Sequence, residues 1–458
     1  MRKTVPVILV TLFTYAALAY LLFSHWRYAP LMTNYAVLHT LLFAHLALKV
    51  TASVAAKPHV ADPDFDYDSL RVDVVVPIYN EDPALLAAGV DALAAQRRRP
   101  DHLWLIDDGS RLEAATEATE GTSGPILDAP LVAAAIGRAR SRGIVVHTHR
   151  QENRGKRWAQ SFAFKQSDAD ILVTIDSDTY LDEHAIEKLI LPFSRDDVYS
   201  VAGLACGANY RKNLLTRAVD LGFTMSFLQG RLAEGFFGQV RVNCGIIAAY
   251  RAVVVRENLP RYLNQRFFGR PVKAGDDRAL TYFAKERGRA ECQVEAVAYS
   301  ALPERLPHLL RQRMRWARSW AWGTLLLLRR PVTTADFWFT FTQLVGILAF
   351  GAVLLVSVTG VAIGAVAPGL LGNALLLVFV LGAVMHLRYV VAAHQRDPWH
   401  QRILTWLFSP AATLLYIGMT LPMYYRAMFR PRPQRTWGTR RKVEVRLGRQ
   451  DSPDEIAA

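Results

Sequence analysis

Two acidic clusters come directly after apolar stretches that have the pattern of buried strands. Asp107-Asp108-Gly109-Ser110 follows one stretch, and Asp176-Ser177-Asp178 follows another. In an extended backbone, side chains two positions apart lie on one side, so Asp176 and Asp178 can share a divalent cation bound to a diphosphate. One Asp-x-Asp is weak evidence, because acidic turns are common and most are solvated. Two clusters at strand ends of one sheet are a stronger indication, because ligands bind at that edge.

A further group of chemically useful side chains occurs later, where Gln312, Arg315 and Trp316 are spaced i, i+3 and i+4. On a helix, this spacing puts the three side chains on one face. They would offer a polar clamp, a phosphate-binding cation and a flat apolar surface on which a sugar can stack. The alternative is a structural helix that buries its tryptophan while neighbouring arginines extend to lipid head groups.

The acidic clusters need a sheet to hold them, and the sequence predicts one. Apolar, β-branched runs occur at residues 71–80, 102–110, 143–150 and 169–180, with Ala-rich, helix-favouring segments between them. Strands that alternate with helices predict an α/β fold with a doubly wound, mostly parallel sheet. This soluble domain would begin near Leu70.

Long apolar stretches flank the soluble domain. Residues 5–23, 31–48, 337–363 and 370–391 are each long enough to cross a hydrocarbon core of about 30 Å, so we predict four full spans. Basic residues at the flanks place the soluble domain in the cytoplasm of a multi-pass protein of the cell membrane. For the first stretch, a cleaved signal peptide is the alternative, because Ala17-Leu18-Ala19 could mimic a cleavage site.

Three other segments have a mixed character. Residues 403–425 are interrupted at Pro410 and Pro422 and have basic residues on both sides, which favours an interfacial or re-entrant element over a single crossing. Segments 214–237 and 306–328 combine bulky apolar residues with arginine. They are predicted to be helices on the membrane surface or ordinary amphipathic domain helices.

The composition limits the kinds of partner. The chain has 458 residues and a formal net charge of +14. Much of that charge lies in residues 426–449, directly after an apolar stretch, which is typical of a cytoplasmic segment that contacts anionic lipids. The basic residues are not interleaved with aromatics on one soluble face, so we expect no nucleic-acid partner. The three cysteines suit neither a disulfide framework nor a zinc site, which indicates a reducing compartment.

Seven short motifs occur in a fixed order, and together they resemble the processive family 2 glycosyltransferases, most of all the hyaluronan synthases. The motifs are PIYNED (77–82), DDGS (107–110), NRGKR (153–157), DSD (176–178), GDDR (275–278), QRMRW (312–316) and WGTR (437–440). The similarity runs from about residue 72 to residue 320, and the tail motif extends it to residue 440. The resemblance implies a cytosolic catalytic domain of the GT-A type and a hexosyltransferase that uses UDP-sugars.

Transfer from a UDP-sugar requires a cradle for the nucleotide. Tyr79 could stack on the uracil ring or could simply be a packed turn residue. Asp108 could accept the imide N–H of uracil, and Lys156 could neutralise phosphate.

The resemblance also assigns residues that lie near the diphosphate. It implies that Gln312 and Arg315 approach the diphosphate, and that Trp437 and Arg440 belong to a tail segment that folds over the nucleotide.

The resemblance implies roles for the remaining side chains. Asp178, assisted by Asp176, would hold Mg²⁺ or Mn²⁺ across the diphosphate and make UDP a better leaving group. Asp277, beside Asp276, would be the catalytic base that removes the proton of the acceptor hydroxyl, inverting an α-linked donor to a β-glycoside. Trp316 would be the floor of the acceptor site. A solvated acidic turn is the alternative for the two adjacent aspartates.

One stretch departs from the pattern of the hyaluronan synthases. Val242-Asn243-Cys244-Gly245-Ile246 occupies the region where that family has Cys-Ser-Gly-Pro, so Asn243 replaces the cysteine and Ile246 the proline. The stretch is expected to border the acceptor sugar, which makes Asn243 and Cys244 candidate acceptor residues. The departure bears on the identity of the acceptor more than on the type of reaction.

The leading hypothesis is polymerisation of UDP-N-acetylglucosamine and UDP-glucuronate into hyaluronan, with export of the growing polysaccharide through the spans. A chitin or chito-oligosaccharide synthase that uses UDP-N-acetylglucosamine alone is the main alternative. A transferase acting on a polyprenyl phosphate, and a transporter or receptor with an inactive nucleotide-binding domain, are weaker alternatives. The sequence allows a monomer.

These expectations divide the chain into five parts. They are two N-terminal transmembrane helices (1–57), the catalytic domain (58–300), an interfacial helix region (301–330), a C-terminal transmembrane or re-entrant region (331–425) and a basic cytosolic tail (426–458).

Overall fold

The structure, a computed structural model, describes residues 4–27, 33–111, 126–272, 274–364, 368–391 and 397–430. Ten strands are present in the described ranges: β1 (Val72–Ile78), β2 (His102–Asp107), β3 (Val145–Arg150), β4 (Ile171–Thr174), β5 (Thr179–Leu181), β6 (Val198–Gly207), β7 (Ala248–Arg251), β8 (Arg266–Phe267), β9 (Arg270–Pro271) and β10 (Arg289–Ser300).

The helices of the soluble part are α3 (Pro83–Ala94), α4 (Pro130–Ser141), α5 (Lys156–Gln166), α6 (Ala185–Ile190), α7 (Leu214–Met225), α8 (Leu232–Phe236), α9 (Ala252–Glu257), α10 (Leu259–Leu263), α11 (Asp276–Arg287) and α12 (Leu306–Leu327). Two apolar helices precede them and three follow: α1 (Thr4–Arg27), α2 (Thr33–Ala55), α13 (Ala335–Ala362), α14 (Pro368–His386) and α15 (Trp399–Phe429).

Eight strands form one sheet in the order β3-β2-β1-β4-β7-β6-β10-β5. The half that contains β1 is parallel, because β1 pairs in parallel with β2 and β4, and β2 with β3. In the other half β6 and β10 are parallel, whereas β7 and β5 run antiparallel to their neighbours. Every residue of β1 is buried, as the unbroken apolar run predicts for a strand covered on both faces. The predicted fold class is confirmed.

Local capping explains how the carboxyl ends of β1 and β2 are fixed. Asp82 is the N-cap of α3, since its carboxylate accepts the N–H groups of Ala84 and Leu85. The N–H of Asn80, a residue in the left-handed region with φ 48°, donates to Ser110 Oγ over 2.9 Å. The loops after the two strands are therefore joined at one edge of the sheet.

Helix α7 continues through a π-helical turn, Ser226–Arg231, into α8. The predicted helix over residues 214–237 is thus present, with a register change inside it. π-Helical turns are rare and frequently occur at functional sites, because they redirect side chains without ending the helix. Here the turn brings Ser226, Gly230 and Arg231 to a cavity described below.

Three helices of the described part are long and apolar enough to cross a membrane: Pro6–Phe23 within α1, all of α13 and all of α15. The first two coincide with predicted spans. Helix α2 and helix α14, which a 3₁₀ turn over 387–391 extends, occupy the other two predicted spans. Long apolar helices agree with the prediction of a membrane protein.

The interruption expected within residues 403–425 is absent, because the structure has no break at either proline, whereas the interfacial or re-entrant placement stays a prediction. Helix α15 runs from Trp399 to Phe429 with Pro410 and Pro422 inside it. It also packs along the soluble domain over most of its length: Thr405 accepts a hydrogen bond from Arg217 of α7, Tyr416 lies 5.1 Å from the Arg313 guanidinium, and Tyr424 packs against Trp320 of α12. Each proline removes one backbone N–H donor from the helix, and the contacts of α15 with α7 and α12 stabilise the helix on either side of these positions.

Candidate active site

A cavity of about 490 Å³ lies at the carboxyl ends of the central strands, between the sheet and helices α7, α11, α12 and α15. Its position is the one expected for a ligand site in an open α/β sheet. Nine side chains predicted from the sequence line it: Lys156, Asp176, Asp178, Cys244, Asp276, Asp277, Gln312, Arg315 and Trp316. Residues that are up to 160 positions apart in the chain therefore share one space.

Lys156 connects the two acidic groups of the cavity. Its Nζ lies 2.7 Å from Asp176 Oδ1 and 2.8 Å from Asp276 Oδ2. Burial by itself would lower the pKa of Lys156, but the two carboxylates raise it well above its ordinary value, so the ammonium stays charged. Gly245 makes this close arrangement possible, because a Cβ atom at that position would lie 2.9 Å from Lys156 Nζ.

Asp276 and Asp277 begin α11, directly after Gly275, which has a left-handed backbone with φ 78°. A side chain at Gly275 would overlap Ser319 and Trp322 of α12, so glycine is needed for both the turn and the approach of the two helices. The first turn of α11 is thereby held against the face of α12 that lines the cavity.

The two aspartates have opposite pKa shifts. Burial raises the pKa of Asp277, and the neighbouring Asp276 raises it further. For Asp276, burial also acts to raise the pKa, but the charge and hydrogen bond of Lys156 outweigh it, and the net pKa is lowered. Asp276 is thus the anionic partner of Lys156, whereas Asp277 has the raised pKa that suits a general base.

Helix α12 forms the part of the cavity wall that faces Asp276 and Asp277. Gln312, Arg315 and Trp316 all line the cavity, as their helical spacing predicts. The centroid of the Trp316 ring lies 5.7 Å from that of the Phe223 ring and 4.5 Å from the guanidinium carbon of Arg313. These contacts hold the indole in place, and the ring stays half-buried, so its exposed part is an apolar surface in the cavity lining that a sugar can contact.

The carboxylates at the end of β4 fit a divalent cation that is also bound by a substrate. Asp176 and Asp178 both line the cavity. In the described residues there is no group of three or more His, Cys, Asp or Glu side chains that could hold a metal ion by itself. Oxygen ligands from one or two carboxylates, completed by substrate phosphates, are the usual environment of Mg²⁺ in nucleotide sites.

Three predicted site residues lie outside the cavity lining. Asp108 is fully buried, and its carboxylate accepts hydrogen bonds from the Arg154 and Gly155 N–H groups at 3.0 and 2.8 Å. Burial raises the pKa of Asp108 above its ordinary value. Asn243 is also fully buried, and Tyr79 is half-buried at the end of β1. The roles predicted for these side chains toward uracil and acceptor stay predictions.

Trp437 and Arg440, the two tail residues predicted to cover the nucleotide, lie outside the described residues.

The sequence did not point to a charged group at the far side of the cavity. Arg241 Nη2 lies 2.6 Å from Glu234 Oε1, and Arg241 Nη1 donates to Gln343 Oε1 of α13 over 2.6 Å. Burial would raise the pKa of Glu234, but Arg241 and Lys49 of α2 lower it to about 2. No motif marks these residues, since they come from the segment 234–241 and from two apolar helices that only the tertiary structure brings together.

Comparison with known proteins gives matches of three kinds. Residues 73–259 match the family model described as glycosyl transferase family 2. The chain is 30% identical to a hyaluronan synthase of Streptococcus pyogenes over 407 residues, which is 88% of this chain and 90% of that protein. It is 33% identical to an N-acetylglucosaminyltransferase of Azorhizobium caulinodans over 261 residues, which is 57% of this chain and 62% of that protein.

Among solved structures, the mannosyltransferase PcManGT of Pyrobaculum calidifontis, in complex with GDP-mannose and Mn²⁺, has a similar fold. The TM-score is 0.52 at 20% sequence identity, and the match covers 84% of this chain and 98% of that chain. At this identity the likeness concerns the fold, and it agrees with the architecture of the sheet described above.

Proposed function

Since this chain belongs to the family 2 glycosyltransferases that include the hyaluronan synthases, we propose that it polymerises N-acetylglucosamine and glucuronate from UDP donors into hyaluronan. A polysaccharide synthase of this family needs three groups at one place: cations and a metal for the diphosphate, a base for the acceptor hydroxyl, and a surface for the acceptor sugar. The observation that carries the proposal is that candidates for all three line one cavity.

In the proposed reaction, Asp277 takes the proton of the acceptor hydroxyl. The oxygen then forms a bond to the anomeric carbon as the bond from that carbon to the diphosphate breaks, and UDP leaves on the opposite face. Configuration is inverted in this single displacement. The raised pKa of Asp277 suits this role, because a stronger base accepts the proton more readily.

Negative charge grows on the diphosphate as it leaves, and the chain offers cations to meet it. Lys156 of α5 and Arg315 of α12 both line the cavity. Held in a partly buried site, such cations stabilise developing charge more than they would in water. A divalent ion, Mg²⁺ or Mn²⁺, held by Asp178 with Asp176 would supply further neutralisation of the leaving diphosphate.

Placement of the catalytic domain in the cytoplasm, where UDP-sugars are made, is part of the proposal. Lys57 follows α2 and Arg329 and Arg330 precede α13, so basic residues flank the soluble domain in the sequence at both of its ends, which supports a cytoplasmic position by the positive-inside rule. Side chains from α2, α13 and α15 reach the cavity, namely Lys49, Gln343, Tyr416 and Tyr424. A product held at the cavity is thus already next to the apolar helices through which we propose it is exported.

The test is a donor matrix with purified, detergent-solubilised protein. With Mg²⁺ or Mn²⁺, both UDP-N-acetylglucosamine and UDP-glucuronate should be required for a long polymer, and hyaluronidase should degrade it. Each donor alone should give no polymer. Omission of the metal should reduce the rate of UDP release strongly.

A second candidate is a chito-oligosaccharide synthase, which the match to the N-acetylglucosaminyltransferase favours. Polymer formed from UDP-N-acetylglucosamine alone, resistant to hyaluronidase and sensitive to chitinase, would support that function and contradict the first.

A further inference from the structure

Thr281 connects the start of α11 to the segment 242–246, which lines the cavity. It lies one helical turn after Asp277 and is fully buried. Its Oγ1 donates to the backbone carbonyl of Asp277 over 2.7 Å and accepts the backbone N–H of Asn243 over 2.9 Å. The first bond is common for threonine in helices. The second is not local, because it joins residues 38 positions apart in the chain.

We propose that Thr281 is a positioning residue for sugar transfer, whose hydroxyl fixes the segment 242–246 at a constant distance from Asp277. The inference rests on the proposed function in taking Asp277 as the base and this segment as the wall beside the acceptor. It assigns Thr281 no contact with substrate, since its side chain is not part of the cavity lining.

The segment 242–246 forms the part of the cavity wall that lies between Asp176 and Asp277; it is called the wall segment below. Val242, Cys244, Gly245 and Ile246 line the cavity. Gly245 packs so closely on Lys156 and Asp176 that a Cβ atom there would lie 2.9 Å from Nζ and 3.4 Å from the carboxylate oxygens. The position of this segment is therefore fixed at Gly245 by Lys156 and Asp176 and at Asn243 by Thr281.

Few other polar contacts hold this segment in the described part of the chain. Arg231 Nε donates to the Val242 carbonyl over 2.9 Å, and a turn joins the Ile247 N–H to the Cys244 carbonyl over 3.2 Å. The Asn243 side-chain amide is buried, and neither of its polar atoms has a hydrogen-bond partner in the described ranges. The backbone N–H of Asn243 is thus the polar group that links the wall segment to α11.

The chemistry of the hydroxyl explains why a threonine or serine is needed. A hydroxyl can donate one hydrogen bond and accept others at once, so it can join a carbonyl of α11 to an N–H of the wall segment. A valine of the same shape would do neither, and the buried N–H of Asn243 would lose its acceptor. The wall segment could then move relative to Asp277 while the nucleotide groups stay in place.

The experiment uses four full-length proteins in the same detergent: wild type, Thr281→Val, Thr281→Ser and Thr281→Ala. Valine keeps the shape and removes the hydroxyl, whereas serine and alanine differ from each other only by the hydroxyl. UDP binding is measured by calorimetry, and UDP release and sugar incorporation are measured with whichever donors the wild type uses. Melting temperatures are recorded for all four.

We expect Thr281→Val to bind UDP as the wild type does and to incorporate sugar about 10-fold to 10²-fold more slowly, since misplacement by about 1 Å has effects of this size. The ratio of UDP released to sugar incorporated should rise, because water replaces a misplaced acceptor. Serine should restore both rate and ratio to within about 2-fold of wild type. A purely structural role would change the melting temperature without changing this ratio.

Three results would overturn the inference: wild-type incorporation by Thr281→Val, equal losses for serine and alanine, or a loss of UDP binding that matches the loss of rate. If the valine variant does not fold, the comparison of serine with alanine decides. The readouts apply to any donor, so failure to make hyaluronan would count against the proposed function and not against the role of Thr281.

Discussion

Two acidic clusters stand at the same edge of the sheet, yet they have opposite environments. Asp107, the last residue of β2, and Asp108, which follows it, are fully buried, and their carboxylates accept hydrogen bonds from backbone N–H groups of nearby loops. Asp176 and Asp178, after β4, line the cavity. The difference shows that a position at a strand end makes a carboxylate a candidate site residue. Whether that carboxylate can contact a substrate depends on the loop that packs over the strand end.

The α11 aspartates extend the comparison. Asp277 comes from a helix start and not from a strand end, yet it shares the cavity with Asp176 and Asp178. We therefore expect substitutions of cavity carboxylates to lower activity at constant stability, and substitutions of the buried pair to lower stability first.

The largest effect is expected for Asp277→Asn. The amide keeps the size of the side chain but cannot accept a proton, so kcat should fall about 10²-fold to 10⁴-fold. UDP binding by calorimetry and the melting temperature should stay near wild-type values. Asp107→Asn, outside the cavity, is the matched control and should keep most of the activity. If the Asp277→Asn variant kept more than a tenth of the wild-type kcat, Asp277 would not be the catalytic base.

Next in size is Asp178→Asn. Loss of one carboxylate should weaken the binding of a divalent ion and lower the rate at fixed Mg²⁺ by about 10²-fold, which higher Mg²⁺ or Mn²⁺ should partly restore. The measurement is a metal titration of UDP release. An unchanged metal dependence would show that the ion, if required, is held elsewhere.

A smaller effect, on stability, is expected for Asp108→Ala. The buried N–H groups of Arg154 and Gly155 would lose their acceptor, which should cost about 1–3 kcal/mol of unfolding free energy and lower the melting temperature. Below that temperature, the affinity of this variant for UDP should stay closer to the wild-type value than the affinity of a variant that has lost a direct contact with the nucleotide. Weak UDP binding at an unchanged melting temperature would instead support the predicted contact of Asp108 with uracil. It would contradict the view that the carboxylates after β2 are structural and those after β4 are functional.

The smallest expected effect is a shift in pH dependence. Burial and the charge of Asp276 raise the pKa of Asp277, so activity should fall as the pH is lowered through that raised value and the base becomes protonated. Asp276→Asn removes the neighbouring negative charge and leaves Lys156 with one carboxylate fewer. Both changes lower the pKa of Asp277, and the acidic limb of the kcat profile should move to lower pH. A limb that moves to higher pH, or does not move, would contradict this assignment.

Much of the architecture could be predicted because it depends on local patterns. The apolar runs before Asp107 and Asp176 indicated strands, and the alternation with helices indicated the mostly parallel sheet that is observed. Ordered motifs indicated a family 2 glycosyltransferase related to the hyaluronan synthases, which the comparisons confirm. The spacing of Gln312, Arg315 and Trp316 indicated one helical face, and that face lines the cavity.

Other features could not be predicted, since they depend on long-range packing. Proline residues at 410 and 422 suggested an interrupted element, but contacts with α7 and α12 hold α15 as one helix. Neither the burial of Asn243 nor the contribution of Lys49 to the cavity has a signal in the neighbouring sequence.

The sequence by itself determined the types of group available, namely paired carboxylates at strand ends, a glycine before Asp276 and an aromatic-basic helix, because hydrophobic periodicity and backbone preference act over a few residues. Tertiary structure alone decided which carboxylates face the cavity, and it gave Asp276 and Asp277 opposite pKa shifts. The physical reason is that burial and charge pairing depend on distances in space. Lys156 meets Asp276 only after the chain has folded.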